Sequence, residues 1–164
     1  MARARTRELR WWERQLERFG ASRAGGWFFV QIGNRVDPML LKLTRGRFSI
    51  AVGQPVLLLT VKGARSGVPR ETPLLYTLDG DNLVVVASKA GSPHHPAWYH
   101  NVKANPTVEI LAPRGRSGRY VGREVEGEER ARLWEKVNDL YAGYDVYQTR
   151  TGGRRIPLIV FTPV

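Results

Sequence analysis

The sequence predicts an α+β protein built on a small antiparallel β-barrel of six to seven strands with flanking helices. Apolar runs of strand length recur from Val56 to Phe161, and short turns join most of them. No G-x-G-x-x-G motif follows a predicted strand, so the sequence does not support a Rossmann dinucleotide site. The 164 residues, 42% of them hydrophobic, are enough to close one core. We therefore expect a single domain, with a helical segment over residues 1–50 and the barrel over residues 51–164.

The N-terminal segment is predicted to begin with an amphipathic helix over residues 1–19. Its apolar residues recur at spacings of three and four and are Leu9, Trp12, Leu16 and Phe19. Arginines crowd the remaining faces, which leaves two interpretations open. The helix either packs on the barrel through its apolar stripe or lies in the headgroup region of an anionic membrane. A second helix, drawn from Trp27–Val30 and Pro38–Leu43, is predicted to end before Gly46.

The strands are predicted from apolar runs that turn residues bound. They are Val56–Val61, Glu71–Leu78, Leu83–Ser88, Thr107–Leu111, Tyr120–Glu126 and Ile156–Phe161. Asp79-Gly80 predicts a tight hairpin between the second and third strands, because the pair tolerates positive backbone angles. Two further helices are predicted over Ala97–Ala104, which Pro96 and Asn105-Pro106 bound, and over Glu128–Tyr141.

Composition excludes several classes of function. The chain has no cysteine, which excludes disulfides, thiolate catalysis and cysteine-ligated metal centres. Its formal net charge is +11, so the surface attracts polyanions. No helix-turn-helix, RNP or zinc-finger pattern accompanies this charge, and we do not expect nucleic-acid binding. With no apolar run of spanning length and no secretory signal, we expect a cytoplasmic protein.

The basic loop after the first strand is a candidate anion site. It runs from Gly63 to Arg70 and carries Arg65 and Arg70, whose guanidinium groups match phosphate or carboxylate oxygens. The alternative is a solvated hairpin tip. Lys89 follows the third strand, and in an antiparallel meander that strand ends beside the start of the second. We therefore predict that these three cations converge on an anion, because together they repel one another.

Two aromatic segments add candidates. His94 and His95 are neighbours that point different ways, and no carboxylate stands at ligand spacing, so we expect no metal. The helix that follows Pro96 can instead offer backbone N–H groups to a phosphate or a ring carbonyl. Later in the chain three tyrosines recur every three residues: Tyr141, Tyr144 and Tyr147. Either they pack a loop on the barrel, or they line a pocket, stack on a planar ligand and supply phenolic protons.

Several motifs in order carry a family resemblance. They read G-x-R-S-G-x-P-R-x-T-P-L-L-Y, V-V-A-S-K-A-G, H-P-A-W-Y-H-N-V-K-A-N-P and L-Y-x-x-Y-x-x-Y. Together they cover about residues 54–163 and strongly resemble the deazaflavin-dependent nitroreductase family. The resemblance implies a split β-barrel that binds coenzyme F420, a deazaflavin with a phosphate and an oligoglutamate tail. Flavin mononucleotide on the same barrel is the alternative cofactor.

The resemblance also implies roles for particular residues. The phosphate and tail would be held by the hairpin and Lys89, through Ala64, Arg65, Ser66, Arg70 and Lys89. The ring would be lined by Thr72, Pro73, Leu74, Leu75, Val86, Ala87, Ser88, Ala97, Trp98, Tyr99, His100 and Asn101. The substrate would be flanked by Tyr141, Tyr144 and Tyr147.

The implied activity is hydride transfer from carbon 5 of the reduced deazaflavin to an electron-poor acceptor such as a quinone, an enone or a nitroaromatic. Ser88 is predicted to bond near the reacting centre, and Tyr144 is the predicted proton donor. Two alternatives lie outside catalysis: a cofactor or lipid carrier without turnover, and a membrane-surface binder acting through residues 1–19. The partners expected are a small-molecule acceptor and, for the assembly, either a monomer or a homodimer.

Overall fold

The computed structural model describes residues 35–51 and 54–164. The helix predicted over residues 1–19 and the Trp27–Val30 part of the second helix lie outside them. Residues 35–43 are helical, here named α1, and a turn follows over residues 44–46. The predicted end of the second helix before Gly46 is therefore confirmed.

The described residues form six strands. These are β1 Val56–Lys62, β2 Pro69–Asp79, β3 Asn82–Val86, β4 Thr107–Leu111, β5 Gly118–Glu124 and β6 Leu158–Pro163. Three α-helices follow α1 in this part of the chain, namely α2 Ala97–Ala104, α3 Gly127–Leu140 and α4 Gly143–Arg150. A short 3-10 turn covers Lys89–Gly91. The predicted strands and two predicted helices are confirmed to within about two residues, whereas α4 was not predicted.

The strands close into an antiparallel barrel in the order β1-β2-β3-β6-β5-β4. This confirms the predicted α+β fold with a split barrel. The split lies along β2, because β1 pairs with its first half, Pro69–Leu75, while β3 pairs only with Tyr76–Asp79. Among the described residues, the first half of β2 thus has a strand on one edge alone.

The barrel interior is closed at one end by α2. Trp98 and Val102 of this helix are buried and pack among the inward side chains of the strands. Gly122 of β5 lets the helix approach, since a Cβ there would lie 2.6 Å from a ring carbon of Phe161 and 2.9 Å from a methyl of Val102. The helix therefore sits on the barrel through a contact that only glycine permits.

The outer faces of the barrel carry the other helices. α3 and α4 pack on the outer face of β3 and β6, where Leu133, Tyr144 and Val160 belong to one buried cluster. α1 packs separately, through Leu41, against Val56 and the outward Leu58 of β1. No helix in the described part of the chain is long and apolar enough to cross a bilayer.

Candidate functional site

The β1–β2 hairpin and α2 meet at one mouth of the barrel. The Ala64 N–H donates to Asn101 Oδ1 over 3.0 Å, and Asn105 Nδ2 donates to the Lys62 carbonyl over 3.1 Å. The C-terminal half of α2 and the residue after it are therefore bonded to the end of β1 and the start of the basic loop. Two predicted cofactor residues, Ala64 and Asn101, are brought into direct contact, but by a bond that the sequence did not suggest.

The open edge of β2 lies beside this mouth. The Tyr76 N–H donates to the Pro55 carbonyl over 3.1 Å, and backbone groups of alternate residues in a strand point to opposite edges. The backbones of Glu71, Pro73 and Leu75 therefore face the edge that β1 does not occupy. Proline suits such a position because no strand requires its missing N–H. This edge can offer the Leu75 N–H and several carbonyls to a planar ligand.

Several predicted ring-lining residues have side chains committed to packing. Leu74, Ala87 and Trp98 pack in the barrel interior, whereas Leu75 and Val86 pack on its outer face. Only the backbone of such residues remains for a ligand. The other predicted cofactor residues lie on the surface or are half-buried, and they are Ala64, Arg65, Ser66, Arg70, Thr72, Pro73, Ser88, Lys89, Ala97, Tyr99, His100 and Asn101.

The three predicted cations are exposed and uncommitted. The side chains of Arg65, Arg70 and Lys89 make no hydrogen bond or ion pair with any described residue. Arg70 pairs with Val61, whose side chain faces the barrel interior. The Arg70 side chain therefore leaves β2 on the same inner face, at the mouth. Lys89 follows β3, whose register with β2 leads toward the same half of that strand. Their convergence on one anion stays a prediction.

The turn that carries Lys89 has a backbone suited to an anion. Ser88 is right-handed, with φ −73° and ψ −42°, and the next three residues have φ of 48°, 51° and 79°. A right-handed residue followed by a left-handed one turns successive N–H groups into a concavity that binds anions. Positive φ costs about 1–3 kcal/mol at each non-glycine residue, here Lys89 and Ala90, so the surrounding structure must hold the turn. The Ser88 hydroxyl has no partner among the described residues.

Arg154 donates hydrogen bonds to backbone carbonyls at both ends of this turn. Its Nη2 donates to the Ser88 and Ser92 carbonyls over 2.9 and 2.8 Å, and its Nη1 donates to the Ala87 carbonyl over 3.2 Å. Its Nε donates to Ser92 over 3.1 Å, and Nη1 lies 3.2 Å from His95 Nδ1. Partial burial lowers the pKa of this guanidinium. Sequence analysis did not single out Arg154, because nothing in Gly152-Gly153-Arg154-Arg155 distinguishes a buried arginine from an exposed one.

A second polar network joins α2 to β5. The His95 ring stacks on Tyr99, with centroids 4.6 Å apart, and the Tyr99 hydroxyl donates to Glu124 over 2.8 Å. Burial and this bond raise the Tyr99 pKa to about 12. Lys103 also donates to Glu124, over 3.1 Å. The hydroxyl of Tyr99 is therefore occupied by protein, and what Tyr99 can offer a ligand is its ring.

The three tyrosines lie together, with Tyr144 and Tyr147 on a helix rather than in a loop. Tyr141 precedes α4, and its ring lies across Gly143, where a Cβ would clash with it. Tyr144 and Tyr147 are 5% and 7% exposed, and the Tyr141 and Tyr147 hydroxyls are 3.1 Å apart. Burial raises the pKa of both Tyr144 and Tyr147. Phenols held this way stay protonated at neutral pH and can donate, while their rings pack the α4 face of the barrel.

Two concavities of the described surface lie away from these residues. One of about 340 Å³ is lined by Leu43, Thr44, Arg45, Arg47 and Phe48. Another, of about 260 Å³, is lined by Pro55, Tyr76, Thr77, Leu78, Arg114 and Arg116, at the barrel end opposite the β1–β2 hairpin. Neither includes a predicted cofactor residue. Among the described residues, no cluster of three His, Asp or Glu side chains is placed to hold a metal ion.

Comparisons with known proteins give the site a context. Residues 36–163 match the family model described as F420H(2)-dependent quinone reductase. A curated F420H(2)-dependent quinone reductase of Mycobacterium tuberculosis is 43% identical over 133 residues, which cover 78% of this chain and 88% of that protein. A solved F420-H2 dependent reductase is 40% identical with a TM-score of 0.58, covering 66% of this chain and 94% of its own. A solved structure described as a domain-swapped dimer is 36% identical with a TM-score of 0.61, covering 77% of this chain and 96% of its own.

The histidine beside Arg154 makes folding sensitive to pH. An arginine can only donate, so His95 Nδ1 accepts and the ring is neutral. Burial, then the charge of Arg154 and that of His100, lower the His95 pKa below its ordinary 6.5, against a smaller opposing effect of Glu124. The unfolded chain therefore takes up this proton first as pH falls. We expect the free energy of unfolding to be fully retained above about pH 6.5 and to decline as pH drops below it.

Urea unfolding from pH 8 to pH 5 checks this expectation. The His95→Gln protein should lose part of the decline that the unaltered protein shows. His94→Gln, at an exposed neighbour, is the matched control and should keep it. An unchanged pH profile in His95→Gln would remove His95 as the source.

Proposed function

The chain belongs to the F420H(2)-dependent quinone reductase family, and from that premise we propose that it reduces a quinone with hydride taken from reduced F420. The family resemblance, the F420 cofactor and the oxidoreductase activity expected from the sequence are confirmed by the comparisons. The quinone as the acceptor of this chain, and the residue roles below, are proposals.

One observation carries the proposal. In the strand register, the half of β2 with the open edge begins at the basic β1–β2 hairpin, and β3 leads along that edge toward the αR–αL turn at Ser88–Lys89. A flat ring can lie along a strand edge, and a charged tail requires cations. These residues therefore fit a planar cofactor that carries a polyanionic tail.

The bound deazaflavin would supply hydride chemistry, with two electrons and one hydrogen leaving its carbon 5. Reduction of a quinone to a quinol requires that hydride and one proton. We propose that the β2 edge and Ser88 orient the ring and that Arg65, Arg70 and Lys89 hold the phosphate and tail. Tyr144 supplies the proton in this proposal, since a buried phenol is protonated at neutral pH.

Binding of the cofactor tests the cation roles. Fluorescence titration should show tighter binding of F420 than of flavin mononucleotide. A hydrogen bond to a charged group contributes about 1.5–3 kcal/mol, so Arg65→Met, Arg70→Met and Lys89→Met should each weaken F420 binding about tenfold or more. Arg119→Met is the control. Arg119 lies near the start of β5, is exposed, and pairs with Glu109 of β4.

The loss should shrink as salt is raised, because exposed charges are screened. Equal affinity in all four variants would remove the cations from the site. Tighter binding of flavin mononucleotide, or purified protein that stays yellow through dialysis, would favour the flavin alternative.

The tyrosine roles are tested by turnover. Tyr144→Phe removes the proposed donor and keeps the ring, so kcat for quinone reduction should fall while F420 affinity stays within about twofold. Tyr141→Phe is the comparison, because it breaks the bond between the Tyr141 and Tyr147 hydroxyls. Unchanged turnover in Tyr144→Phe would exclude it as the donor. Tight F420 binding with no reduction of a broad acceptor panel would favour a carrier.

We also propose that residues 1–19 dock an anionic membrane, where quinones are dissolved, and that the barrel unit begins near residue 51. The family model begins at residue 36, after that segment. The arginine-rich helix predicted there supports the idea through its charge.

A homodimer is a further proposal, supported by the domain-swapped relative.

Co-sedimentation with liposomes checks the membrane proposal. The full chain should bind vesicles containing anionic lipid, and a chain lacking residues 1–19 should bind them at least about tenfold less, since each basic residue near such a surface contributes about 1 kcal/mol. Neutral vesicles are the control. Equal binding of both chains would contradict the proposal.

A further inference from the structure

The turn after β3 is strained and yet has no strand to hold it. Lys89 and Ala90 have φ of 48° and 51°, values that only the surroundings can enforce. The two backbone bonds of the turn are local, from Gly91 to Ser88 and from Ser92 to Lys89. A left-handed conformation at Lys89 therefore has to be imposed from outside.

The contacts of Arg154 are placed to impose it. Its guanidinium donates to carbonyls on both sides of the strained residues, Ala87 and Ser88 before them and Ser92 after them. A planar fork with fixed N–H directions defines where those carbonyls lie. These bonds fix both ends of the turn. Few residues connect those ends, and they join them through the left-handed conformation at Lys89 and Ala90.

Arg154 is itself held by α4. Gln148 Nε2 donates to the Arg154 carbonyl over 2.8 Å, and Gln148 Oε1 accepts from the Ile156 N–H over 2.9 Å. The turn also packs directly on this helix, because a Cβ on Gly91 would lie 2.9 Å from the Tyr147 carbonyl. The turn and the tyrosine-bearing helix therefore form one unit.

We propose that Arg154 is a positioning residue for the cofactor. It contacts no cofactor atom itself. It holds the Ser88–Lys89 step so that the backbone N–H groups and the Lys89 ammonium face one anionic group, and it fixes that group relative to Tyr144 and Tyr147. This inference rests on the proposed function.

A double-mutant cycle separates positioning from general stability. Arg154→Lys keeps the charge but replaces the three separate nitrogens that reach the Ala87, Ser88 and Ser92 carbonyls with one compact ammonium. Lys89→Met removes the cation that the turn presents. Each single change should weaken F420 binding about tenfold, the scale of one lost hydrogen bond to a charged group. The double variant should lose little more than either single one, because Lys89 no longer faces the anion once the turn relaxes. Arg155→Lys, at the exposed neighbour, should bind as the unaltered protein does.

If the two residues acted independently, their tenfold losses of affinity would multiply to about a hundredfold in the double variant. A loss of that size would overturn the inference. So would unchanged F420 affinity in Arg154→Lys. If the unaltered protein binds no F420, the proposed function itself has failed. F420 binding by the unaltered protein therefore separates that failure from a failure of the Arg154 proposal.

Should Arg154→Lys not fold, the unaltered protein provides the test. In nitrogen-15 NMR spectra, F420 should shift the amide signals of Ser88, Lys89 and Ala90 and slow their hydrogen exchange. It should also shift the Arg154 Nε–H signal. The Arg119 Nε–H signal, from an exposed β5 side chain that pairs with Glu109, is the internal control. Unperturbed turn amides in the presence of saturating F420 would overturn the inference.

Discussion

The structure depends on a mismatch of strand lengths within a closed barrel. β2 runs from Pro69 to Asp79, but its neighbour β3 covers only Asn82–Val86. β1 occupies one edge of the first half of β2, and the other edge lacks a strand in the described part of the chain. A fully paired barrel of this size would be filled by its own side chains and would have no edge to offer. The mismatch leaves hydrogen-bonding backbone beside a well-packed interior.

The residues after β3 add the other parts of the proposed site. Instead of continuing along β2, the chain turns at Ser88 through three positive-φ residues and then enters α2. α2 plugs the mouth with Trp98 and Val102 and bonds the basic hairpin through Asn101. Rigid apolar packing thus sets the geometry, and exposed cations provide the charge. A ligand with one flat part and one anionic part matches both features.

Local sequence signals predict most of the fold. The bounds of α2 and β4 were predicted to the residue, because proline ends one element and begins the next at Pro96 and at Asn105-Pro106. α4 escaped prediction because Gly143 stands in its first turn, and glycine after a long helix normally signals a loop. The structure gives another reason for that glycine, which is the Tyr141 ring lying across it.

The polar networks could not be predicted from the sequence. Arg154 reaches Ala87 and Ser88 across more than sixty positions of chain, with |i−j| of 67 and 66. Asn101 reaches Ala64 in the same way, at a separation of 37. Such bonds follow from tertiary geometry, and no spacing in the sequence encodes them. Family motifs pointed to the Ser88–Lys89 segment, but only the fold explains what holds it in shape.

The central claim is that one barrel mouth, between the β1–β2 hairpin, the Ser88–Lys89 turn and α2, receives the cofactor. A crystal structure of the protein with oxidised F420 measures this directly. The account predicts the ring along the open edge of β2 and the phosphate within hydrogen-bond distance of the Ser88–Lys89 backbone. Density for F420 in the concavity lined by Tyr76, Arg114 and Arg116, at the opposite end of the barrel, would contradict it.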